Sequence, residues 1–308
     1  MATGWVIDHP AHARLLAPLM RELSSVDDVI IACDRVEVRS MIEYCDGYLP
    51  RRKTVWVPRP VGKGRWKKAW RRSRVSKKAL KNVSKVVSVG APLELRVAPR
   101  KAKKIYITDT EVNHLAHRLA TPTDVVIPTH FIDSLAGPLM KKKCKFHRID
   151  GLHGHVHLQP HMRPSSISDP PKILIRRLQG DGIHDSDEIL SIPENWLDGL
   201  DLNYADENQV DGNPWDLTTT MSSMNGVITQ SVTLASEAVL LGIPTLLVSK
   251  ARRGFLDRLV DDGYPLFIAR DADESILAAW LAGIHLTDAL EEPDWPNSRL
   301  EVLEILKD

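Results

Sequence analysis

The chain has 308 residues, 43% of them apolar, with 41 Lys plus Arg against 40 Asp plus Glu and a net charge of +1. The length suits about two domains, and the apolar share excludes a disordered or low-complexity protein. The neutral total conceals a contrast, because residues 1–179 carry 34 basic and 15 acidic side chains while residues 180–308 carry 7 and 25, balances of +19 and −18. An asymmetry of that size points to an anionic partner for the first half.

The opening WVID, Trp5 to Asp8, reads as a short apolar strand, and Leu15, Leu16, Leu19, Met20 and Leu23 then recur at helical spacing. Pro18 is expected in the early turns of that helix, which implies a late start or a kink. VIIACD (Val29 to Asp34) is a second strand, followed by a helical stretch to about Tyr44. TVWVP (Thr54 to Pro58), KVVSVG (Lys85 to Gly90), KIYIT (Lys104 to Thr108) and DVVIP (Asp124 to Pro128) continue the series. Short β-branched runs of this kind are what parallel strands buried on both faces look like.

The Pro- and Ser-rich PSSISDPP (164–171) then marks a boundary. Beyond it KILIRRL (Lys172 to Leu178), NGVIT (Asn225 to Thr229), PTLLV (Pro244 to Val248) and PLFIA (Pro265 to Ala269) alternate with helix candidates such as Leu234 to Leu241 and a last helix near Ser298 to Lys307. The expected fold class is α/β: two Rossmann-like domains facing a cleft, residues 1–163 and 164–308, with ligands at the carboxyl ends of the strands. The last helix is expected to pack back toward the first domain.

The start of the chain lacks the basic and then apolar profile of a signal peptide, and no apolar run approaches the roughly 18 to 20 residues of a membrane span. A cytoplasmic location is the expectation. Cys33, Cys45 and Cys144 form no CxxC pair, so they are expected as buried free thiols rather than disulfide partners.

Three segments can carry chemistry. In ITQSVTLASEAVLLGIP (Ile228 to Pro244) a strand meets Ser231 and Thr233, and a helix runs on to Gly242, a suitable C-cap. A helix N-terminus presents free amides and a positive dipole end, so a phosphate can sit there. Glu237, within that helix, could accept ribose hydroxyls. The alternative is that Ser231 is only an N-cap and Glu237 a solvated helix residue. In the first half, Asp109 and Glu111 end a strand with His114 just after, groups able to act as base and acid on a hydroxyl; a helix cap would use Asp109 or Thr110 equally well. The histidines His147, His153, His155, His157 and His161 cluster, and on a strand HGHVH would line three imidazoles on one face. With no carboxylate or cysteine inside the run, an interdomain crossover is the expectation, with no metal and with His157 or His161 near the cleft.

Four blocks resemble domain-of-unknown-function family 354, a largely archaeal family that itself looks like the GT-B sugar enzymes: glycosyltransferases and UDP-N-acetylglucosamine 2-epimerases. They are IDHPAHARLLAPLMREL (Ile7 to Leu23), Val89 to Leu119 with DVVIPTHF after it, DGLHGHVHLQP (Asp150 to Pro160), and Ile228 to Pro244. The resemblance implies a nucleotide-sugar substrate and no other cofactor. Asp109, Glu111 and His114 fall on the family's Asp-Thr-Glu-His block, with one residue inserted before the histidine, and His12 on a histidine of the first strand-to-helix loop. Ser231, Thr233 and Glu237 match position by position, whereas Gln230-Ser231-Val232 stands where relatives have Asp-Ser-Gly. Val232 puts a β-branched side chain where the backbone would approach a diphosphate. The stretch from Leu178 to Asn225 is short beside the family's pattern, which implies a trimmed C-terminal domain.

The implied function is metal-independent glycosyl transfer. Ser231, Val232, Thr233 and the helix amides would hold the diphosphate, and Glu237 the ribose. Asp109, Glu111 or His114 would activate the acceptor, and Arg176 or His12 would offset leaving-group charge. Epimerisation of a UDP-sugar at C2, or a non-catalytic scaffold binding nucleotide, membrane or RNA, are the alternatives.

The basic stretch is a separate signal. No acidic residue occurs from Gly47 to Leu93, and Arg51 to Lys85 hold fifteen Lys and Arg. Trp66, Ala69, Trp70 and Leu80 fall close together on a helical wheel. Such a helix suits an anionic membrane surface, and the resemblance to enzymes that use lipid-linked acceptors implies peripheral attachment at the inner face through residues 51–85. Nucleic acid is a weaker fit, and a solvated helix packing both tryptophans on its own domain is the plain reading.

Overall fold

A computed structural model describes residues 2–151, 153–160, 166–178, 189–205, 212–271, 273–286 and 294–308. The chain divides into two compact units: residues 1–157 with Asn213–Trp215 and Asn297–Asp308, and Leu158–Gly212 with Asp216–Pro296.

Unit 1 is built on strands β1 (Thr3–Ile7), β2 (Val29–Cys33), β3 (Lys53–Val57), β4 (Lys85–Val89), β5 (Lys103–Ile107), β6 (Asp124–Pro128) and β7 (Lys145–Ile149). They form one sheet in the order β3-β2-β1-β4-β5-β6-β7, every pairing parallel. Its helices are α1 (Pro10–Leu23), α2 (Val36–Glu43), α3 (Arg65–Ala79), α4 (Pro92–Val97), α5 (His114–Leu119), α6 (Asp133–Ala136) and α7 (His153–His157). Side chains alternate across the sheet: Trp5, Ile7, Ile30, Val87, Ile105 and Val126 enter one apolar cluster, while Val6, Ile31, Val57, Val86, Tyr106 and Val125 enter the other. Both faces are therefore dry, as a doubly wound parallel sheet requires.

Helix α1 starts at Pro10, so of the two outcomes expected from Pro18, a late start or a kink, the late start does not occur, and Pro18 lies inside the helix. Pro10 occupies the first turn, where a missing N–H is harmless, and the His9 ring caps the start by accepting from the Ala11 amide. Trp215, from the second half of the sequence, stacks on Tyr48 with ring centroids 5.0 Å apart and donates Nε1–H to the Met41 carbonyl at 3.0 Å.

Unit 2 carries β8 (Lys172–Arg176), β9 (Asp201–Tyr204), β10 (Gly226–Thr229), β11 (Thr245–Val248) and β12 (Leu266–Ala269), ordered β12-β11-β10-β8-β9 and all parallel. Helices α8 (Leu217–Ser222), α9 (Val232–Leu240), α10 (Gly254–Asp261) and α11 (Glu274–Leu286) accompany it. Trp280 fills one face of this smaller sheet, and a Cβ at Gly226 would lie 2.8 Å from its ring. Helix α12 (Ser298–Lys307) closes the chain and belongs to unit 1, where Val302, Leu303 and Leu306 enter the first cluster. Among the described residues no helix is long and apolar enough to cross a membrane. All three cysteines are free, Cys33 and Cys45 buried and Cys144 half-buried, and burial pushes the Cys33 thiol up to about 12.

Candidate functional site

Ligands of doubly wound sheets bind where the strand order reverses, at the carboxyl ends of the two strands that flank the reversal. In unit 1 those strands are β1 and β4, and the groups at their ends are Asp8, His12 and Gly90. The Asp8 amide donates to His12 Nδ1 at 3.3 Å, so the neutral ring carries its proton on Nε2. That edge faces Gly90, where a Cβ would stand at an ordinary contact distance of 3.8 Å and the φ of +62° is what calls for glycine. Burial holds the His12 pKa down to about 4; Asp8 and Asp109 pull it up, while His153 and Arg35 add to the depression. At neutral pH His12 is an uncharged donor aimed from Nε2, the kind of group that polarises an oxygen bearing developing charge.

Behind it lies a buried ion network. Arg72 of α3, 1% exposed, grips the fully buried Glu94 of α4 through Nε and Nη2, both at 2.8 Å. Ser76 donates to the same carboxylate at 2.9 Å. The remaining guanidinium face meets Asp8, with Nη1 to Oδ2 at 3.0 Å and Nη2 to Oδ1 at 2.7 Å. Burial alone would raise the Asp8 pKa, and the Arg72 charge and hydrogen bonds outweigh it and hold it low. The pairing keeps Asp8 ionised and its backbone in place under His12.

Of the sequence candidates, Asp109 joins His12. It follows β5 and its Oδ2 lies 3.1 Å from His153 Nδ1, with the carboxylate 26% exposed. Glu111 is fully buried and accepts the Ile132 amide at 3.1 Å, which makes it a support for the loop before α6. His114, at the start of α5, is exposed and its Nε2 lies 2.7 Å from the Leu135 carbonyl, so it is engaged away from Asp109. The HGHVH run forms the helix α7 rather than a strand, which turns His153 and His157 to one side and the buried His155 to another. The expected alignment of three imidazoles is lost because residues two apart share a face on a strand and lie on opposite sides of a helix. His147 instead pairs with Asp124 at 2.9 Å, and His161 lies outside the described residues. His157 is half-buried, its pKa pushed down to about 3 by burial, Arg14 and His153. Among the described residues no group of three or more His, Cys, Asp or Glu is placed to hold a metal ion.

The reversal in unit 2 falls between β8 and β10, which end at Arg176 and Thr229. Arg176 donates Nη1–H to the Ala205 carbonyl at 3.1 Å, and its own carbonyl accepts from Thr229 Oγ1 at 3.2 Å. Thr229 Oγ1 in turn accepts the Ser231 amide at 2.9 Å, and Ser231 Oγ caps α9 by accepting the Leu234 amide at 3.3 Å. The Val232 and Thr233 amides belong to the first helical turn, which has no intrahelical acceptors, and Thr233 is exposed. Gln230 ties the loop flanks together, accepting from the Leu178 amide at 2.7 Å and donating to the Leu190 carbonyl at 2.6 Å. Glu237 is only 2% exposed, so the solvated alternative for it is excluded. Helix α9 ends as expected at Gly242, whose φ is +80°.

Sequence reasoning passed over Arg72 and Glu94. Arg72 is one cation among many in its stretch; Glu94 had one signal, as the first acid after the long acid-free run. His153 appeared only as a cluster member.

No known protein family's profile matches the chain, and no curated protein matches it by sequence. Solved structures do. One is a putative UDP-N-acetylglucosamine 2-epimerase from Listeria monocytogenes, 11% identical, TM-score 0.62, covering 99% of this chain and 94% of that one. A second is the Methanocaldococcus jannaschii UDP-GlcNAc 2-epimerase in complex with UDP-GlcNAc and UDP, 11% identical, TM-score 0.61, covering 100% and 99%. A third is UGT89C1 of Arabidopsis thaliana complexed with UDP-L-rhamnose, 12% identical, TM-score 0.53, covering 99% and 92%. Identity at this level speaks for the fold: two parallel-sheet α/β domains of the GT-B kind.

Proposed function

We propose that the protein is a nucleotide-sugar enzyme and that its reaction is glycosyl transfer without a metal ion. The observation that carries this reading is the division of labour between the two strand-order reversals. Unit 2 offers an uncharged, amide-rich turn at Ser231 to Thr233, suited to a diphosphate, and unit 1 offers a neutral imidazole, His12, and the carboxylate of Asp109, side chains of the types that move a proton. Solved structures of the same fold hold UDP or UDP-sugars, which supports the choice of ligand.

In this reading the α9 amides and Ser231 bind the diphosphate, with Val232 narrowing the approach, and Glu237 takes the ribose. Arg176 offsets the charge of the departing nucleotide, so the role a metal ion would play falls to fixed protein charge. Asp109, oriented by His153, accepts the acceptor hydroxyl's proton, and His12 donates to an oxygen of the sugar or leaving group. Glu111 and His114 then act as supports rather than as acid or base. Epimerisation at C2 is the second reading, since 2-epimerases are among the solved structures of the same fold; Asp109 would then exchange a carbon-bound proton.

Calorimetry with UDP, GDP and their sugars tests the proposal. Saturable binding of a nucleotide diphosphate at or below millimolar concentration is expected, with weaker binding in Glu237→Gln, which keeps the size of the buried side chain, once a cooperative melting transition shows that the variant is folded. Absence of binding by every nucleotide at millimolar concentration would overturn both enzyme readings. Incubation of a bound UDP-sugar in deuterated water separates them, since only epimerisation places deuterium at C2.

A further inference from the structure

Helix α3 is fastened to unit 1 by its polar side. Its buried residues are Arg72 and Ser76, both committed to Glu94. Its aromatic residues are left outside: Trp66 is 74% exposed and Trp70 63%. A surface helix ordinarily turns such rings inward, because an indole is among the largest apolar surfaces a side chain can bury. Leu80, expected on the same stripe, caps the helix and is fully buried, so the stripe is split and the two tryptophans stand alone in solvent. One turn apart, they are neighbours on one face. The exposed cations Lys67, Arg71, Arg74, Lys77 and Lys78 flank them on the same helix.

We infer that the outer face of α3 docks on an anionic lipid bilayer, with Trp66 and Trp70 at headgroup depth and the flanking Lys and Arg against lipid phosphates. The partner must satisfy two adjacent apolar rings and a row of cations at once. A bilayer surface does so, since its anionic plane overlies an apolar layer into which indoles insert while Lys and Arg snorkel back to the phosphates. Nucleic acid fits less well. Single strands bind by laying bases flat on aromatic rings, and here the guanidinium of Arg65 sits over the Trp66 ring at 5.2 Å and that of Arg74 over the Trp70 ring at 5.5 Å. Those cations are displaced from nothing when the rings enter a headgroup layer edge-first. The same helix reaches the strand-end cluster from its inner side, through the Arg72 to Asp8 pair, so docking would set that cluster close to the lipid.

Flotation of the full chain with vesicles tests the inference and needs no nucleotide, so its outcome is independent of the enzyme reading. Recovery with phosphatidylcholine vesicles containing phosphatidylglycerol is expected, and none with phosphatidylcholine alone. Each Lys or Arg at an anionic surface multiplies partition about fivefold, so Lys67→Gln, Lys77→Gln and Lys78→Gln together should lower it about a hundredfold. The Trp66→Ser, Trp70→Ser double variant should lose the part of binding that survives high salt, because screening spares insertion. Both sets alter exposed side chains, and melting temperatures are expected to match the parent. No flotation with anionic vesicles at low salt, flotation of both variant sets equal to the parent, or capture of single-stranded RNA in place of vesicles would overturn it.

Discussion

The two strand-order reversals present opposite solutions at equivalent places. In unit 1 the ends of β1 and β4 are crowded with ionisable groups, and Asp8, His12, Arg72, Glu94, Asp109 and His153 constrain one another. In unit 2 the ends of β8 and β10 are held by neutral hydrogen bonds through Thr229, Gln230 and Ser231. The difference is informative because a charge network sets protonation states, whereas an uncharged turn leaves its amides for an anionic guest. The proposed function assigns acid–base chemistry to the first arrangement and binding to the second.

That contrast can be broken experimentally. The largest expected effect is on turnover: Asp109→Asn should lower kcat by about a hundred- to ten-thousandfold, the usual span for a positioned base, while nucleotide affinity measured by calorimetry stays within a few-fold. Equal loss of affinity would erase the proposed division between units. Next comes Glu94→Ala, which strands Arg72 in the interior. Removing one member of a buried pair costs about 3–5 kcal/mol, to be read from chemical denaturation, and the Asp8 carboxylate should not make up that loss. A change under about 1 kcal/mol, the range of exposed pairs, would mean that the network is solvated.

The third test uses acidity. The folded pKa of His12 is about 4, below the roughly 6.5 of an unfolded histidine. Between those values the unfolded chain binds a proton that the native protein does not, so stability falls as pH drops through that window and is complete above it. His12→Gln should flatten this limb in denaturation midpoints measured from pH 7 to pH 5, and His157, held down to about 3, should contribute to the slope that remains, joined below about pH 5 by the carboxylates Asp8 and Asp124 that the fold holds low. An unchanged limb in the variant would remove the neutral, enclosed His12 from the picture. The smallest effect belongs to unit 2. Ser231→Ala removes an N-cap and should cost about 1 kcal/mol, with a matching loss in nucleotide affinity if the α9 amides hold the phosphates. Lost stability with unaltered affinity would leave Ser231 a cap alone.

Much of the fold was legible in advance because strands buried on both faces must be apolar and β-branched, and ten of the twelve strands among the described residues begin and end within a residue or two of such runs. The two that were missed, β7 (KFHRI) and β9 (DLNY), are edge strands with one paired side and substantial exposure. Without a dry second face they need no apolar run, so nothing in their composition separates them from loops. The HGHVH run failed for another reason: five residues hold too little periodicity to distinguish a helical turn from a strand.

The sequence by itself determined the doubly wound architecture, the place of the Ser231 turn at a helix start, and the charge contrast between the two halves. These follow from local spacing and from what must be kept dry. It could not tell Arg72 from its basic neighbours, nor reveal that Arg72 of α3 would bridge Glu94 of α4 and Asp8 in the loop after β1. Ion pairing depends on distance through space, and residues far apart in the chain meet only when the sheet brings their elements together. That packing also decided that α3 would bury a guanidinium and leave two indoles in water, which local spacing alone could not show.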